Sequence, residues 1–207
     1  MSWIKEQFVL LRQYLRSGFR HTLLLCALGM LAAALAGFIV GLLFPQQASQ
    51  VMTQFMEQIE ESGVIDGSGA LSVFALLMNN WRAMLFSAAY GVIPFVFLPL
   101  LSLIMNGVLL GLLAALFQAG GTSLLVYLAG ILPHGIFELP ALIISIACGV
   151  TLCMNLTRMA TGNPKKRPVL PLLEDLLRVL VLVVAPMTVA AAFIECYVTP
   201  VVMGMAM

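Results

Sequence analysis

The sequence predicts an all-α fold: a polytopic membrane bundle of about five transmembrane helices, with amphipathic helices lying on its surface. Three observations carry that reading. Hydrophobic residues fill 62% of the 207 positions and charged residues only 9%, with a mean hydropathy of +1.07, far from the balance of a soluble domain. The uncharged runs are long: Ala83 to Phe137 holds 55 residues without an Asp, Glu, Lys or Arg, and 19 more follow Glu138. The remaining charges are sorted along the chain, so the net charge of +1 says little about partners. Nine of the ten basic residues are Lys5, Arg12, Arg16 and Arg20 at one end and Arg158, Lys165, Lys166, Arg167 and Arg178 near the other. By the positive-inside rule both segments face the cytoplasm. Residues 45–81 carry Glu57, Glu60, Glu61 and Asp66 with no basic residue, which suits the outer side, and only Arg82 falls elsewhere.

Each element follows in turn. Residues 1–21 place Ile4, Phe8, Leu11, Leu15 and Phe19 on one helical face and Lys5, Arg12, Arg16 and Arg20 on another. That is a basic amphipathic helix on the inner leaflet, drawn to anionic membrane lipids by about 1 kcal/mol per charge. The first span, 22–44, is uncharged and 23 residues long, enough to cross a core of about 30 Å. No small-residue cleavage site follows it in Phe44-Pro45-Gln46-Gln47, so it reads as a retained span and not a secretory signal. In the outer segment 45–81, Val51, Met52, Phe55 and Ile59 give residues 46–62 the pattern of a surface helix, stopped by Gly63 and the turn Asp66-Gly67-Ser68-Gly69.

Residues 82–157 must then cross an odd number of times, and their length fits three spans near 82–104, 105–128 and 134–157, with Pro94, Pro99 and Gly120-Gly121 between them. A basic cytoplasmic loop, 158–175, leads to the last span, 176–198, interrupted by Pro186. The whole chain, 1–207, reads as one transmembrane domain, multi-pass in the cell membrane, with the amino terminus cytoplasmic and the carboxyl terminus outside.

Within the apolar region, Pro133-His134-Gly135-Ile136-Phe137-Glu138-Leu139-Pro140 holds two ionisable groups four residues apart. A charge buried in hydrocarbon costs roughly 2.5 kcal/mol or more without a partner or water. On a continuous helix His134 and Glu138 share a face. Pro140 also allows a broken or re-entrant piece over 133–139, covered by protein or water. Glu195, at the outer end of the last span, supplies a third group if the fourth and fifth spans pack together. One imidazole and two carboxylates suit a divalent metal such as zinc. A hydrogen-bonded His–Glu lock between helices and a proton or ion path remain alternatives. Asn79, Asn80, Arg82 and Asn106 are candidates for a polar rim, with Arg82 a carboxylate partner and the asparagines otherwise helix caps or interhelical bonds.

Other chemistry is sparse. Cys26, Cys148 and Cys153 fall in spans and read as buried thiols, with no disulfide framework. The sequence shows no phosphate loop, no metalloprotease helix and no nucleophile elbow, hence no catalytic or organic-cofactor residue. Lys165-Lys166-Arg167 reads as a topology determinant and not a nucleic-acid patch. Gly29, Ala33, Gly37 and Gly41 recur every fourth residue in the first span, and Gly107 and Gly111 do so in the third. These faces admit close helix approach, either within the chain or, through Gly37 and Gly41, in a homodimer.

The ordered set Asn79-Asn80, Asn106-Gly107 with Gly111, the segment from Pro133 to Ala141, and Ile194-Glu195-Cys196-Tyr197-Val198-Thr199-Pro200 resembles the stage II sporulation protein M family of membrane proteins. The resemblance implies a multi-spanning protein that, in spore formers, works with the peptidoglycan-remodelling sporulation proteins D and P during engulfment. It implies no enzymatic activity. The leading expectation is therefore a membrane scaffold or anchor that positions cell-envelope remodelling proteins; a transporter or channel, and an intramembrane metal hydrolase, are the alternatives.

The charge pattern makes the topology testable. With single cysteines introduced into a background free of reactive thiols, a membrane-impermeant reagent should label position 62 and spare position 166 in intact cells. The reverse pattern would overturn the assignment.

Overall fold

A computed structural model of the chain describes residues 3–61 and 72–206, and within them the backbone is helical with no strand. The first helix, α1 (Trp3–Arg16), is followed by α2 (Phe19–Leu43) and α3 (Pro45–Glu61). Next come α4 (Val73–Ala89), a short 3-10 turn at Tyr90–Val92, α5 (Pro99–Ala119) and α6 (Leu124–Ala160). The chain closes with α7 (Val169–Val179), a wide π turn at Leu180–Val184, α8 (Ala185–Tyr197) and α9 (Thr199–Ala206). Four stretches are long and apolar enough to cross a membrane: α2, α5, α6 and the joined run Val169–Tyr197. The turn expected at 66–69, and Gly63 before it, lie outside the described residues.

The register of the contacts gives the directions. Gly29 meets Leu103, Gly37 meets Val108 and Gly41 meets Ala115, so α2 and α5 run parallel. Parallel neighbours need a return pass between them, and α4 provides it. Ser145 donates to the Met84 carbonyl, Cys153 to the Ile93 carbonyl at 3.3 Å, and Thr157 Oγ1 accepts from the Phe95 amide at 2.9 Å, so α4 and its following loop run alongside α6 in the same direction. Leu76 clusters with Ala192 and Trp81 donates to Thr188 Oγ1 at 2.7 Å, which sets α8 antiparallel to α4.

The glycine faces explain how these helices approach. A Cβ at Gly111 would enter the Ala34 backbone, and one at Gly41 would stand 2.6 Å from Ala115 Cβ. Gly37 and Gly41, which the sequence offers to a second chain, therefore face α5 of the same chain. The reason is that α5 carries its own small residues, Gly107, Gly111 and Ala115, at the same spacing, so two narrow faces meet. Gly91 and Gly149 do the same where α4 ends against α6.

The spans between 73 and 160 differ from those expected. Pro99 opens α5 at its first turn, where its missing N–H costs nothing, so the helix boundary falls at 93–98 and not inside a span ending at 104. The preceding loop includes Phe95 and Phe97 at φ 67° and 51°. Of the two arrangements the sequence allows over 133–139, the continuous one is present: α6 runs through Pro133 and Pro140. In an apolar setting a helix interrupted at both prolines would leave many backbone groups unbonded, whereas a continuous one loses only the single bond that each proline removes. His134 and Glu138 thus sit about ten residues inside a long helix and not at its start. The basic loop shortens to 161–168, because α6 carries Arg158 and α7 carries Arg178.

The last run copes with Pro186 by a related device. The π turn just before it loosens the helix, and the Thr188 hydroxyl points back to the carbonyls of Ala185 at 2.8 Å and Val184 at 3.2 Å.

The α2–α5 seam yields a stability prediction. Gly111→Ala should destabilise the protein by about 1–3 kcal/mol, the usual cost of overpacking, while Gly18→Ala, where an added Cβ meets nothing within 4 Å, should be near neutral. Thermal unfolding in detergent measures both. Equal melting of Gly111→Ala and wild type would mean the seam is looser than described.

Candidate functional site

The helical spacing of α6 puts His134 one turn from Glu138, and the antiparallel run of α8 brings Glu195 to the same place. One ligand atom from each of the three lies within 4.8 Å of the other two. His134 Nε2 stands 3.9 Å from Glu138 Oε2, too far for a hydrogen bond. All three side chains are half-buried. Donors around a first-row ion stand about 3.5 Å apart, so the cluster is slightly wider than a closed coordination shell.

The imidazole is oriented from its other side. His134 Nδ1 lies 3.2 Å from Thr199 Oγ1, at the first residue of α9. With the proton on Nδ1, the ring donates to Thr199 and leaves the Nε2 lone pair facing the carboxylates, the arrangement in which a protein presents a histidine to a metal. Among the described residues neither Glu138 nor Glu195 accepts a hydrogen bond, and His134–Glu138 is the only ion pair either makes. Two half-buried carboxylates this close repel each other unless a cation stands between them.

Comparison with known proteins places this geometry in a family. The family model described as stage II sporulation protein M matches residues 10–200, nearly the whole chain and all three cluster residues. The chain belongs to the stage II sporulation protein M family. It is also similar to an uncharacterized protein of Methanocaldococcus jannaschii, 33% identical over 126 residues that cover 61% of this chain and 70% of that one. No solved structure matches it.

For this member of the sporulation protein M family the structure thus unites His134, Glu138 and Glu195. It does not join the expected rim to them by any hydrogen bond or ion pair among the described residues. Asn79 and Arg82 are exposed on α4, and Arg82 has no carboxylate within 4.0 Å among those residues. The reason is the shift of α4, which places Arg82 in mid-helix and not at its outer start. Asn80 is buried with its Nδ2 unbonded among the described residues. Asn106 donates to the Ser102 carbonyl of its own helix at 2.8 Å.

Sequence reasoning missed Thr199. A hydroxyl just past an apolar span reads as a helix cap, and its signals were its place four residues beyond Glu195 and within the segment Ile194 to Pro200 that carries the resemblance. It also missed Asn155, whose side chain accepts from the Arg167 amide at 2.8 Å and donates to the Arg167 carbonyl at 3.0 Å, tying the 161–168 loop to α6.

Shared electrostatics predicts coupling. Glu138→Gln and Glu195→Gln should each lower stability by about 1–3 kcal/mol by leaving the rest of the cluster without its counterpart, and the double variant should cost less than their sum by at least about 0.5 kcal/mol. A double-mutant cycle by thermal unfolding reads this out. Strictly additive losses would separate the two carboxylates.

Proposed function

We propose that this protein is a membrane scaffold of the sporulation protein M type. In it His134, Glu138 and Glu195 hold a divalent metal such as zinc, binding the outer ends of α6 and α8 into a platform that positions peptidoglycan-remodelling partners. The observation that carries the reading is the convergence of one imidazole and two carboxylates, neither of which accepts a hydrogen bond from the described residues, within 4.8 Å, with Thr199 on the far nitrogen of the ring. This donor set fits a first-row divalent ion, and the hydroxyl supplies the outer partner that metal-bound histidines use. When bound, such an ion neutralises the carboxylates and cross-links the helices that carry them. His134 contributes direction, Glu138 and Glu195 charge.

Charge sorting supports the orientation, with α1 and the 161–168 loop inside and α3 outside. Arg158 and Glu138 are 20 residues apart on α6, about 30 Å along the axis, which is the thickness of the hydrocarbon core. With Arg158 at the inner boundary, the cluster sits at the outer one, where envelope partners such as the sporulation proteins D and P, or their analogues, are within reach. A transporter or channel would draw on the same buried polar residues and on an interrupted helix, and of these two supports the second is missing, since α6 is continuous through Pro133 and Pro140.

Metal analysis tests the proposal. Protein purified without chelator should carry about one first-row metal ion per chain, and Glu195→Gln should lose it. Thr199→Val, which keeps every ligand, should weaken metal affinity about 10–100-fold. A wild type that stays metal-free after equilibration with zinc would sink the metal reading and leave a cluster held by a shared proton.

A further inference from the structure

At the opposite end of α6 from the His/Glu cluster lies a cavity of about 930 Å³, enclosed by α1, the start of α2, the end of α6 and α7. Its walls differ in chemistry. Leu10, Leu25 and Met154 supply an apolar side, and Gln13, His21 and Arg158 a polar one. Leu25 is 69% exposed on the apolar helix α2, so the cavity opens sideways towards the surface that lipid would cover.

The charge inside is unevenly spent. Arg167 and Arg178 also line the cavity, but Asp175 engages them at 2.7 and 2.8 Å and Glu174 takes a further contact with Arg178 at 3.4 Å. Arg178 is also held to α1 through its Nε–H bond to Gln7 at 2.6 Å. These four charged side chains cancel. Arg158 is half-buried and has no ion pair among the described residues, so it leaves the lining with a net positive charge. In the same wall Tyr14 is 6% exposed and its hydroxyl has no hydrogen-bond partner among the described residues. Burial pushes this phenol's pKa up, so it remains a donor. Its ring is held by Phe19 at 5.0 Å and by the Arg167 guanidinium 5.7 Å above it.

We propose that this cavity binds an acidic membrane lipid, with its phosphate-bearing head against Arg158 and its acyl chains leaving past Leu25. A soluble phosphate ester would share the interaction with Arg158. It would gain nothing from the apolar wall or the sideways opening, whereas an amphiphile matches both sides at once. The site is independent of the metal cluster, and neither reading needs the other.

The test uses the full chain in a neutral detergent, with native mass spectrometry of bound lipid. Phosphatidylglycerol should be retained over phosphatidylcholine with the same acyl chains. Arg158→Gln should weaken phosphatidylglycerol binding about fivefold, the effect of one charge near a membrane surface. Gly18→Trp should weaken it comparably without changing charge, because Gly18 lines the cavity and an added Cβ meets nothing within 4 Å. Lys166→Gln removes an exposed charge outside the cavity and should leave binding unchanged. Wild-type retention in either cavity variant, or an equal loss in Lys166→Gln, would overturn the site. Competition by glycerol phosphate at the lipid's own concentration would overturn the lipid and assign the cavity to a soluble phosphate ester.

Discussion

Every backbone N–H and C=O in an apolar surrounding has to find a partner, and the architecture of this protein rests on how α6 meets that demand. Two prolines lie within α6, yet the helix stays whole for 37 residues, because breaking it would expose more polar groups than the prolines remove. The unbroken helix then becomes the surface on which α2, α4, α5, α7, α8 and α9 all pack. The last run is interrupted differently at Pro186, which a π turn over Leu180–Val184 precedes. Just beyond it the Thr188 hydroxyl donates to the Ala185 carbonyl and accepts from Trp81, which joins α4 to α8.

On this frame the ionisable groups are handled in two ways. At the Arg158 end of α6, the side chains of Arg167, Asp175, Arg178 and Glu174 compensate one another, and Asn155 holds the loop that carries Arg167. At the other end, Glu138 and Glu195 face a single imidazole and receive no hydrogen bond from the described residues. The first set is complete in itself. The second, shared by two helices and steadied by Thr199 at the start of a third, is short of positive charge. That imbalance is the contrast between the two ends of α6.

Charge and period made much of this legible in the sequence. The sorted basic and acidic residues gave the class and the surface helices α1 and α3, and the isolation of His134, Glu138 and Glu195 in apolar sequence marked them before any contact was known. Between Ala83 and Phe137 there is no charge to mark a boundary, so the spans there were set by length alone and fell some ten residues from α4 and α5. At Pro140 the sequence leaves a continuous and a broken helix both open, because the rule that proline breaks a helix is calibrated in water, where a freed carbonyl can be solvated. The parallel pairing of α2 with α5 was invisible because matching small-residue spacing tells which faces can meet, not whether they belong to one chain. Thr199 needed three dimensions, since its partner is 65 residues away.

The α2–α5 seam has an implication for assembly. Its contacts are between bare backbone and methyl-sized groups, such as Gly111 against Ala34 and Gly41 against Ala115, and such a groove is blind to which molecule fills it. During synthesis α2 emerges two passes before α5, so its narrow face stands open in the bilayer until α5 arrives. When two nascent chains lie side by side, α2 of one can settle on α5 of the other and form the native seam without a single new contact. Domain swapping of this kind would give a dimer whose interface is indistinguishable, residue for residue, from the fold of the monomer.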